Sequence, residues 1–71
     1  MYRPHYIKIG KKGLDKALAI VDRHDKLGDI DDYGVTDQLG DGTVLLRLNL
    51  IVSDDLEVIK DEFRKNGIEL F

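Results

Sequence analysis

A chain of 71 residues, 42% hydrophobic, without cysteine and with a formal net charge of −3, has material for one small core and not for two. This composition excludes disulfides and thiolate metal sites, and it excludes a disordered acidic tail. The charge is uneven: residues 1–16 set Arg3, Lys8, Lys11, Lys12 and Lys16 against Asp15, a balance of +4, whereas residues 22–41 set seven aspartates against Arg23 and Lys26, a balance of −5. A basic end beside an acidic middle suits head-to-tail association or electrostatic steering.

The residues before Tyr6 lack the apolar stretch of a signal peptide. The longest strongly apolar run, Leu48 to Val52, is interrupted by Asn49 and is too short to cross a bilayer. The chain reads as soluble and cytoplasmic, with no membrane partner.

Tyr6-Ile7-Lys8-Ile9 alternates with a period of two and predicts a first strand, beginning as early as Tyr2, with Pro4 tolerated among its first residues. Gly10-Lys11-Lys12-Gly13 breaks the chain. Leu14, Ala17, Leu18 and Val21 then recur at helical spacing, extended by Leu27, and Gly28 stands where a glycine stop is expected. A second strand carries Tyr33, Val35 and Leu39. Leu39-Gly40-Asp41-Gly42-Thr43 has the glycines of a hairpin turn. The clearest strand follows, with Val44, Leu46, Leu48, Leu50 and Val52 on one face and Leu45, Arg47, Asn49 and Ile51 on the other; it belongs in the centre of a sheet. Ser53 and Asp54 are positioned to cap a second helix, Asp54 and Glu57 forming a variant capping box. Leu56, Ile59 and Phe63, joined by Val58, give this helix its buried stripe. Asn66-Gly67 ends it, and Ile68-Glu69-Leu70-Phe71 reads as a last strand.

This order, β-α-β-β-α-β, predicts an α+β, two-layer ferredoxin-like sandwich over residues 1–71 as a single domain. It has a four-stranded antiparallel sheet with both helices on one face, and the first and third strands central. Ile7, Ile9, Val44, Leu46, Leu48 and Leu50 then face the helices. The other sheet face shows Tyr6, Lys8, Leu45, Arg47, Asn49, Ile51 and Phe71, and no third layer remains to cover it.

The glycine-lysine loop between strand and helix has the charge and backbone donors to attract an anion. It resembles the GxxG loop of KH domains, a resemblance that implies clamping of nucleic-acid phosphates. KH domains place a helix before that loop, whereas nine residues precede Gly10 here, and the net acidic charge further disfavours nucleic acid. Gly13-Leu14 opening the first helix, Gly28-Asp29-Ile30 leaving it and Asn66-Gly67-Ile68 entering the last strand resemble ACT-type regulatory domains. That resemblance implies a βαββαβ fold, dimers through sheet faces or edges, and small ligands near the first loop and second strand. ACT domains commonly carry an acidic residue three positions before the loop glycine, where this chain has Gly10.

The segment beginning Asp29-Ile30-Asp31-Asp32-Tyr33-Gly34 offers Asp29, Asp31 and Asp37 at the first, third and ninth positions of a calcium loop. Tyr33 and Gly40 occupy positions where oxygen ligands should close it. It reads as a solvated acidic loop whose aspartates protect a strand edge, with no metal site. His5 and His24 lie on separate elements without a nucleophile motif, and Ser53 is explained as a cap, so no catalytic residues and no cofactor are assigned. The reading is a non-catalytic interaction or regulatory protein acting through its open sheet face, as a homodimer or on a protein partner, with Tyr6, Leu45, Arg47, Ile51 and Phe71 as contacts. The alternatives are a small-ligand sensor of the ACT type and nucleic-acid binding, both through Gly10, Lys11, Lys12 and Gly13.

Overall fold

The strongest alternation in the chain becomes the central strand. The computed structural model describes residues 4–38 and 40–71; the expected strand start near Tyr2 and the hairpin residue Leu39 lie outside them. The elements are β1 (Pro4–Gly10), a 3-10 turn (Lys11–Gly13), α1 (Leu14–Lys26), β2 (Ile30–Gln38), β3 (Thr43–Leu50) and α2 (Asp55–Lys65). They form a three-stranded antiparallel sheet in the order β1-β3-β2. Val44, Leu46, Leu48 and Leu50 of β3 are all buried, as are Ile7 and Ile9 of β1. They form one cluster with Ala17 and Val21 of α1 and Ile59 and Phe63 of α2, so both helices cover the same sheet face. Each fully buried aliphatic or aromatic side chain contributes about 1.5–3 kcal/mol.

The four-stranded ferredoxin-like sheet does not form. Residues 68–71 contribute only one bridge, Ile9 to Leu70, made by Phe71 N–H to Lys8 C=O at 2.9 Å and Gly10 N–H to Glu69 C=O at 3.1 Å. The cause lies at the end of α2. Gly67 takes φ +75°, its N–H bonds Arg64 C=O at 3.1 Å, and Ile68 N–H bonds Phe63 C=O at 2.9 Å. This is a Schellman stop, in which the second residue beyond the cap is tied back to the last helical turn. Ile68 is buried by it, and pairing with β1 begins only at Glu69. β1 is therefore an edge strand, and β3 alone is central.

The first helix ends in the same way. Gly28 at φ +87° bonds Asp25 C=O, and Asp29 N–H bonds His24 C=O at 3.0 Å. Leu27, expected in the buried stripe, is 69% exposed at this stop, and His24 takes the inward position. At the start of α2, the expected Ser53 or Asp54 cap and the box to Glu57 are absent. Asp54 has helical dihedrals, φ −63° and ψ −22°, and makes no side-chain cap bond; a capping side chain needs an extended backbone. Backbone turns from Asp55 N–H to Val52 C=O and from Leu56 N–H to Ser53 C=O replace it. Val52 and Val58, expected inside, are exposed, Val52 because β3 ends at Leu50. The acidic segment expected as a loop is strand β2.

Gly67 and Gly34 separate backbone conformation from packing, because a methyl group at either meets nothing within 4 Å, and only Gly67 has positive φ. We expect Gly67→Ala to destabilise by about 1 kcal/mol and Gly34→Ala to be neutral or slightly stabilising. Urea denaturation checks this; equal effects would contradict the helix-stop assignment.

Candidate interaction face and adjoining cleft

Direct pairing in the ladder sets neighbours on the open face, the side of the sheet away from the helices. Tyr6 lies opposite Arg47 and Lys8 opposite Leu45, while Gly34 faces Arg47 and Asp32 faces Asn49 on the other side of β3. Tyr6 is 54% exposed and Phe71 67%. The Phe71–Lys8 backbone bond sets Phe71 beside this group. Four of the five expected contact residues, Tyr6, Leu45, Arg47 and Phe71, thus gather on one surface. Ile51 does not join them: it lies beyond the end of β3, where its N–H bonds Asp29 C=O at 3.2 Å, at the opposite end of the sheet from Phe71.

Ion pairs flank the face on both sides of β3. Arg47 donates to Asp32 Oδ2 at 2.9 Å, a bond that holds the Asp32 carboxyl below its ordinary range. Lys8 Nζ lies 3.6 Å from Asp41. Exposed pairs of this kind contribute at most about 1 kcal/mol each, and they orient side chains more than they stabilise the fold.

Gly10, Lys11, Lys12 and Gly13 line a cleft of about 460 Å³ together with Gly42 and Thr43 of the hairpin and Glu69 and Phe71 of the last segment. The turn is not a free loop of backbone donors. Gly10 N–H bonds Glu69, and Lys11 N–H bonds Gly42 C=O at 2.9 Å. Gly13 has a packing reason: a methyl group there would come within 3.0 Å of the Ile68 side chain. Across the cleft Asp41 accepts from both the N–H and the hydroxyl of Thr43, and these bonds, the hydroxyl's first, hold its carboxyl below the ordinary range. The walls therefore carry both signs of charge, Lys11 and Lys12 against Asp41 and Glu69.

A buried polar cluster was missed by sequence reasoning. His24 is only 6% exposed, with Nδ1 3.1 Å from Asp29 Oδ2 and Nε2 2.8 Å from Glu62 Oε1. Glu62 Oε2 also accepts from Arg23. The helix stop at Gly28 brings Asp29 back over the ring, and α2 supplies Glu62, so the cluster joins both helices. The available signal was His24 itself, seven residues after Ala17 and three after Val21 on the apolar stripe. Among the described residues no group of three or more His, Cys, Asp or Glu is placed to hold a metal ion, and no helix is long and apolar enough to cross a membrane. No family model, curated protein or solved structure matches the chain.

Burial alone pushes the His24 pKa down, but bonds to and charges of Asp29 and Glu62 outweigh it and raise it above 6.5. Only the imidazolium has two N–H donors, so only it satisfies both carboxylates. A raised folded-state pKa gives stability that is complete below the unfolded value and lost as pH rises through the folded value. The stability difference between wild type and His24→Gln, measured in urea from about pH 5 to pH 9, is expected to shrink with rising pH. A difference independent of pH would contradict the assignment.

Proposed function

We propose that the protein is a non-catalytic interaction module that associates with a second copy of itself through the open face of its sheet. The observation that carries this reading is the ladder register, which gathers Tyr6, Leu45 and Arg47 on a face that neither helix covers. Exposed large aromatics clustered with an arginine are the residue types that dominate interface energetics. Charge favours a two-fold axis running along β3. That axis sets the basic β1 flank with Lys8 over the acidic β2 flank of the second copy, and a self-complementary patch is what an isologous contact needs.

The cleft supports a second reading, the small-ligand sensor implied by the ACT resemblance. Its lysines and carboxylates suit an anionic or zwitterionic metabolite, and binding would raise the melting temperature by mass action. A thermal-shift panel of amino acids and organic acids with no response would remove this reading.

Sedimentation velocity over a concentration series tests the first. We expect twice the monomer mass at the upper concentrations, loss of association in Leu45→Asp with an unchanged circular dichroism spectrum, and no effect of Leu27→Asp at the far end of α1. A wild-type monomer throughout, or equal effects of both substitutions, would overturn the dimer.

A further inference from the structure

The two edges of the sheet are built differently. β2 is bulged twice, between Ile30 and Asp32 and between Val35 and Asp37, and it carries exposed Asp31 and Asp32. Bulges and charges of this kind blunt an edge against added strands. β1 has no such interruption and pairs with β3 in continuous register from Pro4 to Gly10. Its outer side is occupied at one end only, where Lys8 C=O and Gly10 N–H meet residues 71 and 69. Backbone groups alternate along a strand, so the N–H and C=O of Tyr6 point to the same outer side. Among the described residues nothing pairs with them there.

Beside this edge runs a groove of about 260 Å³ between β1 and α2. Every ionisable side chain lining it, apart from the Tyr6 phenol, is basic: Lys8, Lys60 and Arg64. Lys60 makes no ion pair among the described residues, and Arg64 is engaged only by its exposed neighbour Asp61 at 2.9 Å. We propose that the free edge of β1 accepts an extended acidic segment of a partner protein as an added strand.

Charge selects this occupant over a second copy. Pairing two β1 edges would bring two sets of the same basic groups together, and the acidic β2 edge of another copy is bulged. The side-chain pattern of the segment follows from the pleat, because alternate residues of an added strand point to opposite faces. Those on the helix side meet Lys60 and Arg64 and are acidic. Those on the open side meet Tyr6 and Phe71 and are apolar. Pro4 lacks an outward donor, which confines pairing to roughly four residues, or about 13 Å of strand. The apolar half of this site shares Tyr6 and Phe71 with the dimer face, whereas its charged half, Lys60 and Arg64, lies on the helix side and does not rest on the dimer reading.

Fluorescence anisotropy with a labelled octapeptide of alternating Val and Glu tests the proposal on the full chain. Three control peptides accompany it: the same residues as a Val block followed by a Glu block, the alternating peptide with every amide N-methylated, and an alternating Val-Lys peptide. We expect saturable binding of the unmodified alternating acidic peptide and at least about tenfold weaker binding of all three controls. Lys60→Glu with Arg64→Glu, both at exposed or half-exposed positions, should weaken the acidic peptide by about tenfold or more. No saturable binding would overturn the proposal. Equal binding of the block or methylated peptide would also overturn it, because charge alone would then suffice, and the methylated peptide decides this whether or not the double variant folds. Unchanged affinity in a folded double variant would remove the groove from the site.

Discussion

The fold depends on the burial of one face of β3. Val44, Leu46, Leu48 and Leu50 are all closed off from solvent, and every other element is positioned by what it adds to that row. β1 contributes Ile7 and Ile9 in direct register with Leu46 and Val44. The helices contribute short stripes, Ala17 and Val21 from one and Ile59 and Phe63 from the other. Both helices lie on the same side, so no described element covers the other side of the sheet. The open face follows from a pattern that places both apolar helix stripes on one side of the sheet.

The same economy shapes the margins of the sheet. Two glycine stops of identical form end the two helices and send the chain in specific directions. At Gly28 the stop brings Asp29 onto the buried His24 ring, which also holds Glu62 and so links α1, α2 and the entry to β2. At Gly67 it ties Ile68 to α2 and, among the described residues, leaves the outer edge of β1 paired at one end only. Local backbone chemistry at these turns therefore decides both the most polar part of the interior and the most available edge. The Gly10–Gly13 turn belongs to the same account, since Gly13 lets α1 approach Ile68 closely. Of its four residues, Gly10 and Lys11 donate their N–H groups to Glu69 and Gly42 within the fold.

Much of this was legible in the sequence where a period was sustained. The alternation of β3 and β1 gave the inward and outward sets directly, so Tyr6, Leu45 and Arg47 were assigned to one surface by parity alone. Periods failed at element ends. Leu27, Val52 and Val58 are apolar, yet they are exposed: Leu27 at the helix stop, Val52 beyond the strand end, and Val58 about 100° around α2 from buried Ile59. The last strand was misread because its hydrophobic alternation is real but Ile68 is committed to the preceding helix. Asp54 has a capping side chain on a backbone that is already helical. The His24 cluster and the β1–α2 groove join residues about forty to sixty positions apart in the chain, and no local pattern encodes such a meeting.

We propose that the uncovered face meets a second copy of the chain. The most direct measurement is an isotope-filtered NOE experiment on a mixture of labelled and unlabelled protein, which reports only contacts between chains. Association through this face gives cross-chain contacts from the Tyr6 and Phe71 rings and the Leu45 methyl groups. Cross-chain contacts confined to helix residues such as Val58 or Leu27, or none at millimolar concentration, would contradict it.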